Sequence, residues 1–178
     1  RSMVSVAEEQ SIEISEDLSF LIDRSLNDEV RLIKSIAASP VLADALKTKN
    51  YEIAKEHLKA VYRSINKENF TIFILDANGI ARADAHFENT DGLDLSARSY
   101  YKESIVGKTV ITDPIFSMGP ESSDTPIMIV STPITDNGVY LGVAAMVFNP
   151  DFMMEILSHN YAGDTSYSYI INPEGLIL

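Results

Sequence analysis

Arg98, Tyr100 and Tyr101 lie together in the run Arg98-Ser99-Tyr100-Tyr101. A guanidinium stays charged at physiological pH and offers a planar fork of N–H donors that matches a carboxylate. A tyrosine ring can wall off a small solute while keeping a polar tip. This set is better suited to holding a ligand than to transforming one. The segment Gly107-Lys108-Thr109-Val110-Ile111-Thr112-Asp113-Pro114 follows, and a β-rich stretch then ends at Ser131-Thr132-Pro133-Ile134. Asp113 has two open readings. It either bonds backbone amides at the bend before Pro114 or accepts a bond from a ligand amine. Phe116, Met118, Thr125 and Ser131 complete the candidate lining, with the polar loop 117–124, which contains Gly119-Pro120, as a lip. In a strand, Ser131 and Thr132 point to opposite faces, so one of them is directed inward.

Each of these residues also has a plainer role open to it. Arg98 can pair with Asp94 one turn earlier as a surface ion pair of small consequence. Tyr100 and Tyr101 can be core rings whose hydroxyls reach water. Adjacent helical residues point about 100° apart, so at most one of the two shares the direction of Arg98.

Little in the chain supports catalysis. It has no cysteine, no Gly-x-Ser-x-Gly elbow, no Walker loop and no Gly-x-Gly-x-x-Gly. His57, His86 and His159 fall in different segments, and His57 sits beside a helix face as a surface or boundary residue. Asp84, His86, Glu88, Asp91 and Asp94 offer oxygen ligands to a hard cation, but their spacing does not match an EF-hand loop, and a solvated polar loop is the preferred reading. No catalytic residue, metal site or cofactor is expected.

These side chains need a scaffold, and hydrophobic spacing predicts one. Leu18, Ile22, Leu26, Val30, Ile33 and Ala37 recur every three or four positions, so the first 39 residues read as one long amphipathic helix stopped by Pro40. Its C-terminal half suits packing on a sheet. Its N-terminal half suits a partner helix or a continuation towards a membrane. Helices are expected over about 41–46 and 51–65. Strands 70–75 and 80–85 flank the turn Asp76-Ala77-Asn78-Gly79. A polar loop covers 86–97, and a short helix over 98–106 ends at Gly107. Strands follow over about 110–116, 126–134 and 140–148, the last two joined through Thr135-Asp136-Asn137-Gly138, and a helix covers about 151–157. This order predicts an α+β fold: a long N-terminal helix, then an antiparallel five-stranded sheet with helices mainly on one side.

Ile74-Leu75-Asp76-Ala77-Asn78-Gly79-Ile80 is echoed by Ile170-Ile171-Asn172-Pro173-Glu174-Gly175-Leu176, an offset of 175 minus 79, or 96 residues. The echo predicts a second copy of the sheet beginning near Thr165. The chain has 178 residues, 46% of them hydrophobic, with a formal net charge of -12, enough for a sizeable core but with no basic face for nucleic acid or an anionic membrane surface. No apolar run approaches the roughly 20 residues that span a bilayer. The chain opens on Arg1-Ser2-Met3 without a signal-peptide pattern, and a soluble piece of a longer protein is the expectation.

The run Asp94-Leu95-Ser96-Ala97-Arg98-Ser99-Tyr100-Tyr101-Lys102 resembles the Cache family, together with Gly107, Ile111-Thr112-Asp113-Pro114, the stretch from Pro126 to Pro133-Ile134, and Leu141-Gly142-Val143. More narrowly it resembles the membrane-distal half of a double Cache (dCache) sensor, and the stretch from Gly163-Asp164-Thr165 to Asn172-Pro173-Glu174-Gly175 resembles the start of the membrane-proximal half. The resemblance implies a long signalling and dimer helix (1–39), a membrane-distal PAS-like module (40–160) and the start of a membrane-proximal module (161–178). It implies an extracytoplasmic sensor region of a bacterial or archaeal transmembrane receptor, whether chemoreceptor, sensor histidine kinase or diguanylate cyclase. Such a region forms a homodimer through its N-terminal helix and touches the membrane only through flanking transmembrane helices. Ligands sit between the sheet and the loop-helix crossover.

Amino-acid-binding members carry a tyrosine five positions before the arginine, an aromatic-Tyr pair after it and a later acid for the ligand amine. Arg98 and Tyr101 match, and Tyr100 sits where tryptophan is common. Leu93 replaces the first tyrosine, and 145–147 holds no carboxylate. The resemblance therefore implies a small carboxylate-bearing solute, an organic acid rather than an α-amino acid. The alternative is a ligand-independent dimerisation or structural module.

Overall fold

A computed structural model of the protein describes residues 3–65, 70–87, 90–116, 126–158, 168–172 and 174–177. The long helix α1 runs Met3–Ala37. On its predicted apolar stripe Leu18, Ile33 and Ala37 are buried and Ile22, Leu26 and Val30 half-buried. Pro40 then opens α2 (Pro40–Thr48) behind an extended Ser39 N-cap, because a proline ring fits a first turn whose N–H groups have no partner anyway. Helix α2 ends at Lys49, which takes the left-handed conformation with φ 59° and returns its N–H to Ala45. Helix α3 is Tyr51–Ile65. His57 is half-buried on it, with Nε2 3.0 Å from Ser39 Oγ.

The strands are β1 (Phe70–Asp76), β2 (Ala81–Asp84), β3 (Val110–Ile111), β4 (Ile115–Phe116), β5 (Pro126–Asp136) and β6 (Val139–Phe148). Their order is β2-β1-β6-β5-β3, with β4 also on β5, and every pairing is antiparallel. The single strand expected over 110–116 is broken into β3 and β4. Pro114 has no N–H to give a ladder and restricts Asp113 before it, so the chain bends at Thr112-Asp113-Pro114 and re-pairs with β5 beyond.

The turns follow from their residues. Gly79 adopts φ 82° and closes the β1–β2 turn, while Asp76 Oδ1 accepts from the amides of Asn78 (2.9 Å) and Ile80 (3.2 Å). Asn137 and Gly138 both have positive φ, as a tight hairpin between β5 and β6 requires.

Alternation along the strands gives the sheet two buried faces. Ile72, Ile74, Val130, Ile134, Ala144 and Met146 lie on one, against which α2 and α3 pack. Phe73, Leu75, Ile129, Val143 and Ala145 lie on the other, beneath α4 (Ser99–Ser104). Helix α5 is Asp151–Ser158.

Two compact units divide the chain: Glu29–Asn149 in one, Arg1–Asp28 with Pro150–Leu178 in the other. The echoed turn has the wiring of its counterpart 96 positions earlier. Asn172 N donates to Leu176 O at 2.9 Å and Gly175 N to Asn172 O at 2.9 Å, where Asp76 N donates to Ile80 O at 2.9 Å and Gly79 N to Asp76 O at 3.0 Å. Gly175 has φ 84°, Leu176 N reaches Asn172 Oδ1 at 2.9 Å, and a bridge joins Ile171 to Ile177 as β1 joins β2 at Leu75 and Ala81. Thr165, the expected start of the second copy, lies outside the described residues.

Candidate functional site

The segment that delivers Arg98 is tied down before it arrives. Residues 92–95, expected as loop, pair with the end of β2: Gly92 N donates to Ala81 O (2.8 Å), Ala81 N to Leu93 O (2.9 Å) and Leu95 N to Gly79 O (2.9 Å). Asp94 Oδ1 accepts from Ser96 N at 2.9 Å, and the Ser96 hydroxyl together with this amide holds the Asp94 carboxyl below its ordinary pKa. Arg98 then takes extended backbone angles (φ -70°, ψ 140°) as the N-cap of α4. The predicted helix over 98–106 is shorter than expected, and Gly107 ends its last turn with φ 91°.

Helix α4 is fastened to β5 by hydroxyls. Ser104 Oγ lies 2.9 Å from Ser131 Oγ, and Ser131 donates to the Tyr100 carbonyl at 3.4 Å. One residue further along β5, Thr132 Oγ1 lies 2.8 Å from Thr109 Oγ1. Ser131, fully buried, is thus the inward member of its pair on this face, and its hydroxyl already has partners.

Tyr100 is 2% exposed. Burial drives its hydroxyl pKa well above the ordinary value, and the charge of Arg98 pulls it weakly the other way. The phenol that feels Arg98 is therefore that of Tyr100. Tyr101, also buried, donates instead to the Ala77 carbonyl in the β1–β2 turn at 2.8 Å. The half-buried Arg98 side chain makes no hydrogen bond or ion pair among the described residues, and the alternative partner Asp94 is occupied with Ser96.

Tyr100 and Tyr101 share one apolar cluster, Ser131 bonds to the Tyr100 carbonyl, and Arg98 caps the helix that carries both tyrosines. Asp113 lies exposed at the β3–β4 bend, and Phe116 is 68% exposed. Thr112, not Asp113, turns inward there: its Oγ1 accepts from Ile129 N at 3.0 Å and its own N–H donates to Ile129 O at 2.9 Å. Met118, Thr125 and the lip 117–124 lie outside the described residues.

Sequence reasoning missed Tyr140. Its hydroxyl is buried beside that of Tyr101, and burial together with Tyr101 raises its pKa. Of the acidic stretch, Glu88 is outside the described residues, and Asp84 is buried in β2. Asp84 Oδ1 accepts from Thr71 Oγ1 (2.6 Å), His86 N (2.8 Å) and Phe87 N (2.9 Å), a structural role that fixes the exit of β2.

A PAS-like antiparallel sheet with a long entering helix and a short helix across one face is the architecture of a sensor domain. The chain belongs to the Cache domain family, whose dCache_1 model matches residues 1–178. Similar solved structures include the sensor domain of the V. cholerae histidine kinase DctB (17% identity, 87% of this chain and 60% of that one, TM-score 0.71). Another is the ligand-binding domain of the Pseudomonas fluorescens chemoreceptor CtaA with L-serine (17% identity, 99% and 73%, TM-score 0.76). A third is that of the Pseudomonas aeruginosa PAO1 amino acid chemoreceptor PctC with GABA (20% identity, 97% and 75%, TM-score 0.71). The chain thus spans between 60% and 75% of the length of these structures. No curated protein matches it in sequence.

Proposed function

We propose that this chain is the extracytoplasmic ligand-sensing region of a transmembrane signalling receptor, of chemotaxis or two-component type, and that Arg98 holds the carboxylate of a small solute. One observation carries the assignment: a half-buried guanidinium, beside a buried tyrosine, that no carboxylate among the described residues engages. A charge so placed favours an incoming anion. The similar CtaA and PctC domains were solved with L-serine and GABA, each of which carries a carboxylate. The site binds rather than catalyses. Arg98 grips the carboxylate, Tyr100 walls the site, Tyr101 fastens α4 to the β1–β2 turn, and Ser131 anchors α4 to β5. Asp113, Phe116, Met118 and Thr125 remain candidate lining at the lip.

Binding draws α4 onto the sheet and shifts the population of α1 positions. The division into helix 1–39, membrane-distal module 40–160 and the start of a second module at 161–178 belongs to the same proposal, supported by the echoed turn. So does a homodimer through α1, where Ile12, Phe20 and Leu21 stand exposed. The test is a thermal-shift panel of small organic acids on wild type and Arg98→Ala. A hit must raise the melting temperature of the wild type and leave the variant unmoved. Equal shifts in both would remove Arg98 from the site.

A further inference from the structure

We propose that the protein carries a second small-molecule site, separate from Arg98 and independent of its reading, which holds a zwitterion by both of its charged ends. A cleft of about 300 Å³ opens where the junction of α2 and α3 meets β2, and Lys49, Tyr51, Lys55, Arg82 and Asp84 are among the residues that line it. None of Arg98, Tyr100, Tyr101 and Ser131 does.

Asp84 gives the cleft its negative end. It is 3% exposed, and the three donors it receives, Thr71 Oγ1, His86 N and Phe87 N, all meet Oδ1. Oδ2 is buried with no hydrogen-bond partner among the described residues. The exit of β2 therefore uses one oxygen of the carboxylate and leaves the other over. A buried carboxylate oxygen without a donor is costly, and its charge draws the positive end of a solute that enters the cleft.

Lys55 gives the cleft a positive end. It is half-buried on α3, and its ammonium makes no ion pair or hydrogen bond among the described residues. Lys49, exposed at the left-handed end of α2, adds a second cation near it. Arg82 is already committed: its Nε donates to Asp76 at 2.8 Å and its guanidinium carbon lies 5.3 Å from the centre of the Tyr51 ring, so it serves as a fixed wall. Lys55 and Asp84 line one cleft without forming an ion pair with each other. A zwitterion placed between them makes a charge-assisted hydrogen bond at each end. A simple anion meets the lysine but is repelled by Asp84, and a simple cation meets the reverse.

The probes are β-alanine, which carries both charges, propionate, which carries only the negative one, and n-propylammonium, which carries only the positive one. Each is titrated into nitrogen-15-labelled Arg98→Ala protein, so that the carboxylate anchor proposed above is absent. β-Alanine is expected to give saturable shifts of the Ala83 and Asp84 amide resonances, with the two singly charged probes at least tenfold weaker. Adding Asp84→Asn, which keeps an oxygen for Thr71, His86 and Phe87, or Lys55→Met should each weaken β-alanine at least tenfold. Lys55→Met, on the half-exposed side of α3, carries the test by itself if Asp84→Asn does not fold. No saturable shift with β-alanine, equal binding of either singly charged probe, or affinity retained in a folded variant overturns the second site. Each of these outcomes leaves the role of Arg98 where the panel of organic acids puts it.

Discussion

Arg98 is half-buried, yet it makes no hydrogen bond or ion pair among the described residues of a chain with 26 acidic residues and a net charge of -12. Its nearest acid in sequence, Asp94, is turned to Ser96. The guanidinium fork, rather than its charge alone, is what suits a carboxylate, so Arg98→Lys is expected to weaken carboxylate binding by about tenfold or more while leaving the fold intact, as calorimetry and circular dichroism can check. The cluster of Arg98 with Tyr100 was readable from residue types, because an arginine next to paired aromatics has few chemical uses. The parity at Thr112 and Asp113 was not, since the break at Pro114 decides which of the two turns inward. Tyr140 escaped for a related reason: the register shifts between Ile134 and Thr135, so counting alternate residues along β5 and β6 loses the face there.

The elements were largely legible, since helix periods, Pro40, and the two Asx-Gly-type turns each have a local cause. The pairing of 92–95 with 79–81 was not, because it depends on backbone atoms brought together by the turn at Gly79 rather than on any pattern of side chains. That turn is held by Asp76, whose Oδ2 also accepts from Arg82 Nε at 2.8 Å. Burial raises the Asp76 pKa, but the Arg82 hydrogen bond and two backbone amides outweigh it and hold the carboxyl below 3.8. Asp76→Ala should cost about 1.5–3 kcal/mol in urea unfolding near neutral pH. A depressed folded pKa stabilises above the unfolded value and ceases to do so as pH falls through the folded one. The gap between wild type and variant should therefore hold above about pH 4 and narrow below it. A gap that widens in acid would contradict this wiring. Close backbone approach gives a second element-scale prediction. A Cβ on Gly142 would meet the Leu75 carbonyl at 2.2 Å and Leu46 at 3.1 Å, so Gly142→Ala should destabilise by about 1–3 kcal/mol or more in the same assay.

At the scale of the whole molecule, the order of helices and strands was enough for the fold class, and the echoed turn shares two backbone hydrogen bonds and a side-chain one with its counterpart. What could not be read from one sequence is how the units Glu29–Asn149 and Arg1–Asp28 with Pro150–Leu178 divide, because packing rather than composition draws that line. The buried phenols supply a global probe. Tyr100 and Tyr140 have raised pKa values through burial, so the folded state keeps them neutral above the ordinary value of 10.0. Their contribution to stability is complete below about pH 10 and is lost as pH rises towards the folded values, because the unfolded chain ionises first. A tyrosinate absorbance titration should show two stages, the second coinciding with loss of near-ultraviolet circular dichroism. That second stage should shrink in Tyr100→Phe/Tyr140→Phe.

The assignment of Arg98 is open to direct observation. In nitrogen-15-labelled protein the Arg98 Nε–H resonance, identified by its absence in Arg98→Lys, should shift progressively and saturate as an organic acid that raised the melting temperature is added, in parallel with the heat of binding. Saturable binding that leaves this resonance unmoved would mean that the ligand sits elsewhere and that Arg98 is a surface cation.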